Sequence, residues 1–372
     1  MNYVQLREMC CVTMGQSPNS DSYNEEREGV PFFQGNADFG ERYPSVRTWC
    51  KEPKKMAKNG DVLISVRAPI GAINYARETC CIGRGLAALS PKTDKVSKEF
   101  IFWVMKSRCK ELQMKGTGST FKAISKKILE EVKIPLYPLE KQIEYSLVLE
   151  KVYAIIETYK SELQKLDELI QARFVEMFGE PSTNPRGWTE TTVGDECFYI
   201  KDGPHKSLPD IRKENGGHPF ISVRNIVNGY IDFSTARYIS DEDFAEAIKK
   251  CHPEKGDILY SKGGTTGIAK FIDIDEEFAN WVHVAVLKFD KSKLNGIFFE
   301  NMLNGAYCYE QSQRLTKGIA NRDLVLSAMA QIKMYRPPIE LQNQFAGFVN
   351  QVNKSKLVIK NLLQIYKHQI QM

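Results

Sequence analysis

Apolar residues recur through one stretch of this chain in steps of four and three without a break. Positions 145, 149, 152, 156, 159, 163, 166 and 170 hold Tyr145, Leu149, Val152, Ile156, Tyr159, Leu163, Leu166 and Ile170. A period of 3.5 is that of a helix burying one narrow stripe along its whole length, the coiled-coil pattern. The stretch opens on Pro138-Leu139-Glu140-Lys141-Gln142. Proline suits the first helical turn, and Glu140 suits its positive end. No Gly or Pro follows until Gly179. Taken alone, the segment also fits a core helix of one globular domain.

The far end of the chain decides between these. Two hundred residues downstream of the seam stand Phe345, Val349, Val352, Lys356, Ile359, Leu363, Tyr366 and Ile370, apolar except at Lys356. The opening repeats as Pro338-Ile339-Glu340-Leu341-Gln342, and Lys133 and Gly118 are matched by Lys333 and Gly318. The chain is a tandem duplication, each copy a globular region followed by a long helix. The expected parts are residues 1–134, a first globular domain; 135–178, a central helix; 179–334, a second domain; and 335–372, a distal helix. One shared register makes the helices natural partners through Leu149, Val152, Ile156, Leu163 and Leu166 on one side. Val349, Val352, Ile359 and Leu363 face them from the other. A whole domain lies between the helices, so a short turn cannot join them. An antiparallel pair with a pseudo-twofold axis is expected.

A chain of 372 residues, 42% hydrophobic, is long enough for two cores plus helices. No stretch approaches 18 consecutive apolar residues, so no membrane span is expected, and the first residues lack a signal-type apolar run. The nine cysteines include Cys10-Cys11 and Cys80-Cys81 but no C-x-x-C. This usage points to reduced thiols and a cytoplasmic protein. Residues 1–134 carry 22 Lys+Arg against 15 Asp+Glu, whereas residues 185–334 carry 19 against 21. By bulk charge only the first region looks like a polyanion binder; a basic surface on the second must be local.

The two copies follow one order. Strand readings fall at 62–67, 72–75 and 82–89, the last with Gly83-Arg84-Gly85 inside. An amphipathic helix at 98–114 and a glycine-rich loop at 116–120 follow, then a short helix near 125–131 and a strand at 132–136. In the second copy, Lys255-Gly256-Asp257-Ile258 parallels Asn59-Gly60-Asp61-Val62, and Gly263-Gly264-Thr265-Thr266-Gly267 replaces the break after Val66. A strand at 280–287 and a helix at 297–313 follow. This mixture predicts α/β or α+β domains rather than all-β ones.

Catalytic patterns are missing. The five histidines form no metal-ligand spacing, and there is no G-x-G-x-x-G and no Walker A lysine. Arg336-Pro337-Pro338-Ile339 lacks the amide or acid and the aromatic ring of an amino-methyltransferase motif, and it repeats a helix start. Nothing here is suited to S-adenosylmethionine, ATP or a catalytic metal, so no cofactor and no metal are expected.

The duplicated Gly-Asp-hydrophobic strand, the Gly-rich break and the twice-used Pro-Leu/Ile-Glu-x-Gln before a long helix match a known family. The whole chain resembles the specificity (S) subunit of Type I restriction-modification enzymes. The resemblance implies a non-catalytic reader of double-stranded DNA, with two target-recognition domains on antiparallel helices that set the spacer of a split site. It implies two docked methyltransferase subunits and restriction subunits joining that core. Lys356 and Asn343 depart from the first copy and put close packing in doubt there. Other readings are a coiled-coil adaptor that binds proteins, and a specificity subunit of a methylation-only system.

Phosphates are met by Lys, Arg and small turn residues. The candidates are Arg67, Arg84, Lys122 and Lys126 in the first domain, and Lys262, Thr265, Lys317 and Arg322 in the second. Base edges suit Arg, Asn and Gln, for which Gln34, Asn36, Arg224, Asn225 and Asn321 stand in loops. Each of these also fits an ordinary solvated side chain.

Overall fold

A computed structural model describes residues 2–117, 122–319 and 321–371, with side chains as far as Tyr366. Gly118 and Thr120 of the first glycine-rich loop, Ala320, and the side chains of His368 and Ile370 lie outside the described residues. The chain divides into two compact units, Met1–Tyr159 with Leu362–Met372, and Lys160–Asn361. Both cuts fall inside long helices: the central helix, Leu139–Phe178, and the distal helix, Ile339–Gln371.

The first unit is built on a four-stranded antiparallel sheet in the order Cys10–Met14, Leu86–Pro91, Val62–Ser65, Ile73–Tyr75. Val62, Leu63, Ile64 and Ser65 are all buried. Such an unbroken apolar run suits a strand covered on both faces, with side chains alternating between them. Val62, Ile64, Ala87 and Leu89 join one core cluster, with Phe100, Phe102 and Met105 from the helix Lys98–Ser107. Leu63, Leu86 and Ala88 join another with Phe33, Cys80 and Ile82. A second sheet holds Tyr23–Asn24, Trp49–Cys50, Val30–Phe33, Cys80–Ile82 and Met56–Ala57, with Phe32 parallel to Cys81.

Two expectations need correction here. The strand read at 82–89 is two strands in two sheets, and Gly83-Arg84-Gly85 carries the chain across. The crossing is tight, because a Cβ on Gly85 would stand 2.6 Å from the Gln34 carbonyl oxygen. The helix read at 98–114 is two helices, Lys98–Ser107 and Cys109–Met114, separated at Arg108.

The second unit repeats the plan: Cys197–Asp202, Val284–Phe289, Ile258–Ser261 and Ala269–Phe271 form its antiparallel sheet. The strand read at 280–287 again divides, into Ala279–Asn280 and Val284–Phe289. Ala279–Asn280 pairs in parallel with His218–Ile221, and Arg237–Ile239 completes that sheet. The helix read at 297–313 divides at Gly305 into Gly296–Asn304 and Ala306–Leu315. Each unit is therefore mixed α and β, its main sheet antiparallel and its side sheet holding one parallel pairing.

The repeated Pro-x-Glu-x-Gln has a structural use. Gln142 and Gln342 are buried. Gln142 Oε1 accepts from the Ser97 N–H at 3.0 Å, and its Nε2 donates to the Lys95 and Tyr137 carbonyls. Gln342 makes the same three bonds, to the Asn295 N–H at 2.9 Å and to the Lys293 and Pro337 carbonyls. Ser97 and Asn295 are the N-caps of Lys98–Ser107 and Gly296–Asn304. The amide thus braces the start of a domain helix against the start of a long helix, twice.

Every seam position with a described side chain is buried or half-buried except Tyr145. In the second unit Phe174 and Phe178 set their rings edge-on to Phe345 at 5.4 and 5.5 Å. Arg173 lies over Phe348, and Lys356 pairs with Asp167. In the first unit Tyr159 and Tyr366 meet at 6.1 Å. The two departures from the repeat both find partners, since Asn343 Oδ1 accepts from Asn295 Nδ2 at 2.8 Å. Among the described residues no helix is long and apolar enough to cross a membrane.

Candidate nucleic-acid interface

The loops that could face a ligand start from one duplicated frame. In Gly60-Asp61 and Gly256-Asp257 the glycines have φ of +84° and +94°, a conformation that favours glycine. The Asp61 and Asp257 carboxylates accept from the Lys58 and Glu254 amides and close each turn. Burial pushes the Asp257 carboxyl up, against the hydrogen bond from Lys288 that holds it down. At the far end of each strand a buried serine holds the return loop: Ser65 Oγ accepts from the Ala72 N–H, and Ser261 Oγ from the Ile268 N–H. The loops so closed, residues 66–71 and 262–267, lie against a second segment in the same way. Ala68 N donates to Lys122 O and Ile124 N to Val66 O; Gly264 N donates to Arg322 O and Leu324 N to Lys262 O. Thr117 and Ala123 exchange backbone bonds, as do Lys317 and Asp323. Backbone pairing thus holds the base of the glycine-rich loop beside the return loop in both units.

In the first unit this frame borders a concave surface. Gln34, Asn36, Arg67 and Arg84 line it together, joined by Arg47. Asp38 organises one wall: its Oδ2 accepts from the Gln34 N–H at 2.7 Å and its Oδ1 pairs with Arg47 at 2.5 Å. Three guanidinium groups and two amide side chains therefore converge on one hollow, with Gln34, Arg67 and Arg84 exposed. Lys122 is exposed on the adjoining segment. Lys126 begins the helix Lys126–Glu130 and pairs with Glu130 at 3.6 Å.

The second unit has a hollow beside the matching strand, lined by Phe220, Ser222, Arg224, Arg237 and Trp281. Arg224 is exposed and donates to the Thr235 carbonyl at 2.8 Å. Thr265, Lys317 and Asn321 are exposed. Arg322 donates to Gln313 Oε1. Two other candidates are turned inward. Asn225 is 1% exposed; its Oδ1 accepts from Ser222 and its Nδ2 donates to Asp232 O and Thr235 Oγ1. Lys262 is buried, pairing with Asp323 at 2.9 Å and Asp202 at 3.6 Å. Gly263 is a packing glycine, because a Cβ there would meet the His283 ring; Gly264, at φ +72°, faces open space.

Arg47 and Arg237 are absent from the sequence candidates. Neither lies in a turn signal or a repeated motif; Arg47 reaches its hollow on a loop and Arg237 at the start of the strand Arg237–Ile239, so only the fold brings them there. Among the described residues no three His, Cys, Asp or Glu side chains gather to hold a metal ion. Burial pushes the Cys10, Cys80 and Cys197 thiols up to about 12, opposite to the shift of a nucleophilic cysteine.

Comparison with known proteins agrees with this architecture. The family described as the Type I restriction modification DNA specificity domain matches residues 1–168 and again 185–365. The chain holds two such domains in tandem and belongs to that family. The putative type I restriction enzyme MjaX specificity subunit of Methanocaldococcus jannaschii is 43% identical over 157 residues, 42% of this chain and 37% of that protein. The MjaIX specificity subunit of the same organism is 26% identical over 253 residues, 63% of this chain and 57% of that protein. The chain therefore spans less than two thirds of the length of these relatives. The crystal structure of the Type-I restriction-modification system S subunit from M. genitalium covers 100% of this chain and 95% of its own, with a TM-score of 0.59 and 16% identity. That likeness is one of fold.

Proposed function

We propose that this chain is the DNA sequence-recognition subunit of a Type I restriction-modification enzyme and has no catalytic centre of its own. The observation that carries the reading is the duplicated loop frame with a basic hollow beside the matching strand in each unit. In the first domain Gln34, Asn36, Arg47 and Arg67 read base edges and phosphates, with Arg84, Lys122 and Lys126 on the phosphate backbone. In the second, Arg224, Arg237 and Asn321 read base edges, with Thr265, Lys317 and Arg322 on the phosphate backbone. Asn225 and Lys262 enter as supports that shape the loops.

On this reading residues 1–134 and 179–334 are target-recognition domains, each reading one half of a split site. Residues 135–178 and 335–372 pair as an antiparallel coiled coil with a pseudo-twofold axis. The contacts of Phe174 with Phe345 and of Asp167 with Lys356 support that direction. The helices set the gap between half-sites and dock two methyltransferase subunits, which restriction subunits join. Ile143, Leu147 and Val148 are exposed apolar residues of the central helix, suited to such docking. The test is to map methylated bases in cells with and without this chain. A bipartite motif should vanish with the chain, and the purified chain alone should transfer no methyl group. Methyl transfer by the pure chain would refute the reading.

A further inference from the structure

The loop that carries the first unit's readers does not end at the hollow. Between Asn36 and Arg47 it runs back to the central helix and inserts Arg42 among four rings. The guanidinium carbon lies 4.7 Å from the Phe102 centroid, 5.1 Å from Tyr153, 5.2 Å from Trp103 and 5.8 Å from Tyr75. Arg42 Nη2 pairs with Glu150 of the central helix. The other Glu150 oxygen is fixed by the Trp103 indole N–H at 3.0 Å. A planar cation flanked by aromatic faces and an oriented carboxylate is a directional anchor. The backbone on either side is held as well. Tyr75 N donates to Arg42 O at 2.8 Å, and the buried Asn74 side chain bonds both the N–H and the carbonyl of Gly40.

The second unit uses a different residue pair for a similar link. Its loop after His218–Ile221 carries Arg224 and then Tyr230, whose ring lies 5.3 Å from Lys360 Nζ of the distal helix. In each unit, therefore, the loop bearing candidate readers touches a long helix through a cation and a ring or carboxylate.

We propose that Arg42 is a positioning residue for DNA reading: it straps the first reading loop to the central helix, so that Gln34, Asn36 and Arg47 meet the bases in one fixed geometry. This rests on the proposed function above. Loss of the strap should relax discrimination in one half-site while leaving the other strict, because the second unit's loop has its own link. A merely structural role would instead lower methylation at all sites alike.

The experiment is to express R42A, R42K and E150Q, each with the cognate methyltransferase subunits, and to sequence methylated motifs across a genome. Thermal melts would establish the folded fraction. E150Q keeps an oxygen for the Trp103 N–H while removing the charge that holds Arg42. A single mismatch normally weakens specific binding by roughly tenfold or more. In all three variants methylation at one half's mismatched sites should rise several-fold relative to matched sites, most in R42A. An unchanged motif in folded R42A, or uniform loss at every site, would overturn the strap while leaving DNA reading intact. A wild-type complex with no split motif would overturn both, so the two failures are distinguishable.

Discussion

Replacing Gln342 by leucine tests the idea that the repeated glutamine is a buried brace. Gln342 is 0% exposed and makes three hydrogen bonds: it accepts at 2.9 Å and donates at 3.1 and 2.7 Å. Leucine fills similar space but strands the Asn295 N–H and removes one partner each from the Lys293 and Pro337 carbonyls. A buried group left unsatisfied costs about 1–3 kcal/mol, less for a carbonyl, which has a second lone pair. The apolar side chain returns about 1 kcal/mol by burial. The net cost is about 2–4 kcal/mol, a large part of a domain's usual ~5–15 kcal/mol. With a urea slope of about 2 kcal/mol/M, the second unit's midpoint should fall by about 1–2 M. Hydrogen exchange read by mass spectrometry across a urea series follows this unit through peptides covering 295–304. Q342E should be no milder at neutral pH, since it loses both donors and sets a carboxylate against two carbonyl oxygens. That environment raises its folded-state pKa, so Q342E should be most stable below the ordinary carboxyl pKa of ~4.3 and weaken as pH rises from there through the raised folded-state value. A cost below about 1 kcal/mol for Q342L would refute the brace.

Two further substitutions separate surface cations from buried ones. R67A should weaken DNA binding by the complete complex and lower the slope of log affinity against log salt by about 1, as loss of one phosphate contact requires. Fluorescence anisotropy over a salt series measures this, and an unchanged slope would remove Arg67 from the interface. K262M should leave that slope unaltered but destabilise the second unit by about 2 kcal/mol, because Asp323 loses its cation and Asp202 loses one of its partners, keeping Lys250 and a longer contact with His205. A changed salt slope with unchanged stability would return Lys262 to the interface.

The long helices were the most legible part of the sequence, because a 3.5-residue period over eight positions admits little else. The duplication was equally plain, since Gly256-Asp257 and Gln342 repeat Gly60-Asp61 and Gln142 in identical hydrogen-bonding roles. What sequence could not show was where a continuous apolar run changes sheet. Residues 82–89 read as one strand because Gly83-Arg84-Gly85 resembles a kink, and periodicity does not distinguish a kink from a crossing. The helix Asp241–Lys250 carries the signals of a helix at both ends: Ser240 caps it, Asp241, Glu242 and Asp243 fill its first turn, and Lys249 and Lys250 its last. For the site, residue type selected side chains without burial. Arg67 and Arg84 reach the hollow, whereas Lys262 and Asn225 have the same chemistry but are consumed by Asp323, Ser222 and Asp232. Arg47 and Arg42 were invisible because their roles depend on Asp38 and on four rings brought together only by folding.

The central claim is that two domains in one chain read separate half-sites. Its most direct measurement exchanges residues 1–130 for the matching region of another specificity subunit, expresses the hybrid with the methyltransferase, and sequences the methylated motif. The account predicts that one half of the motif changes and the other half stays as it was. A change in both halves, or in neither with a folded and active complex, would contradict it.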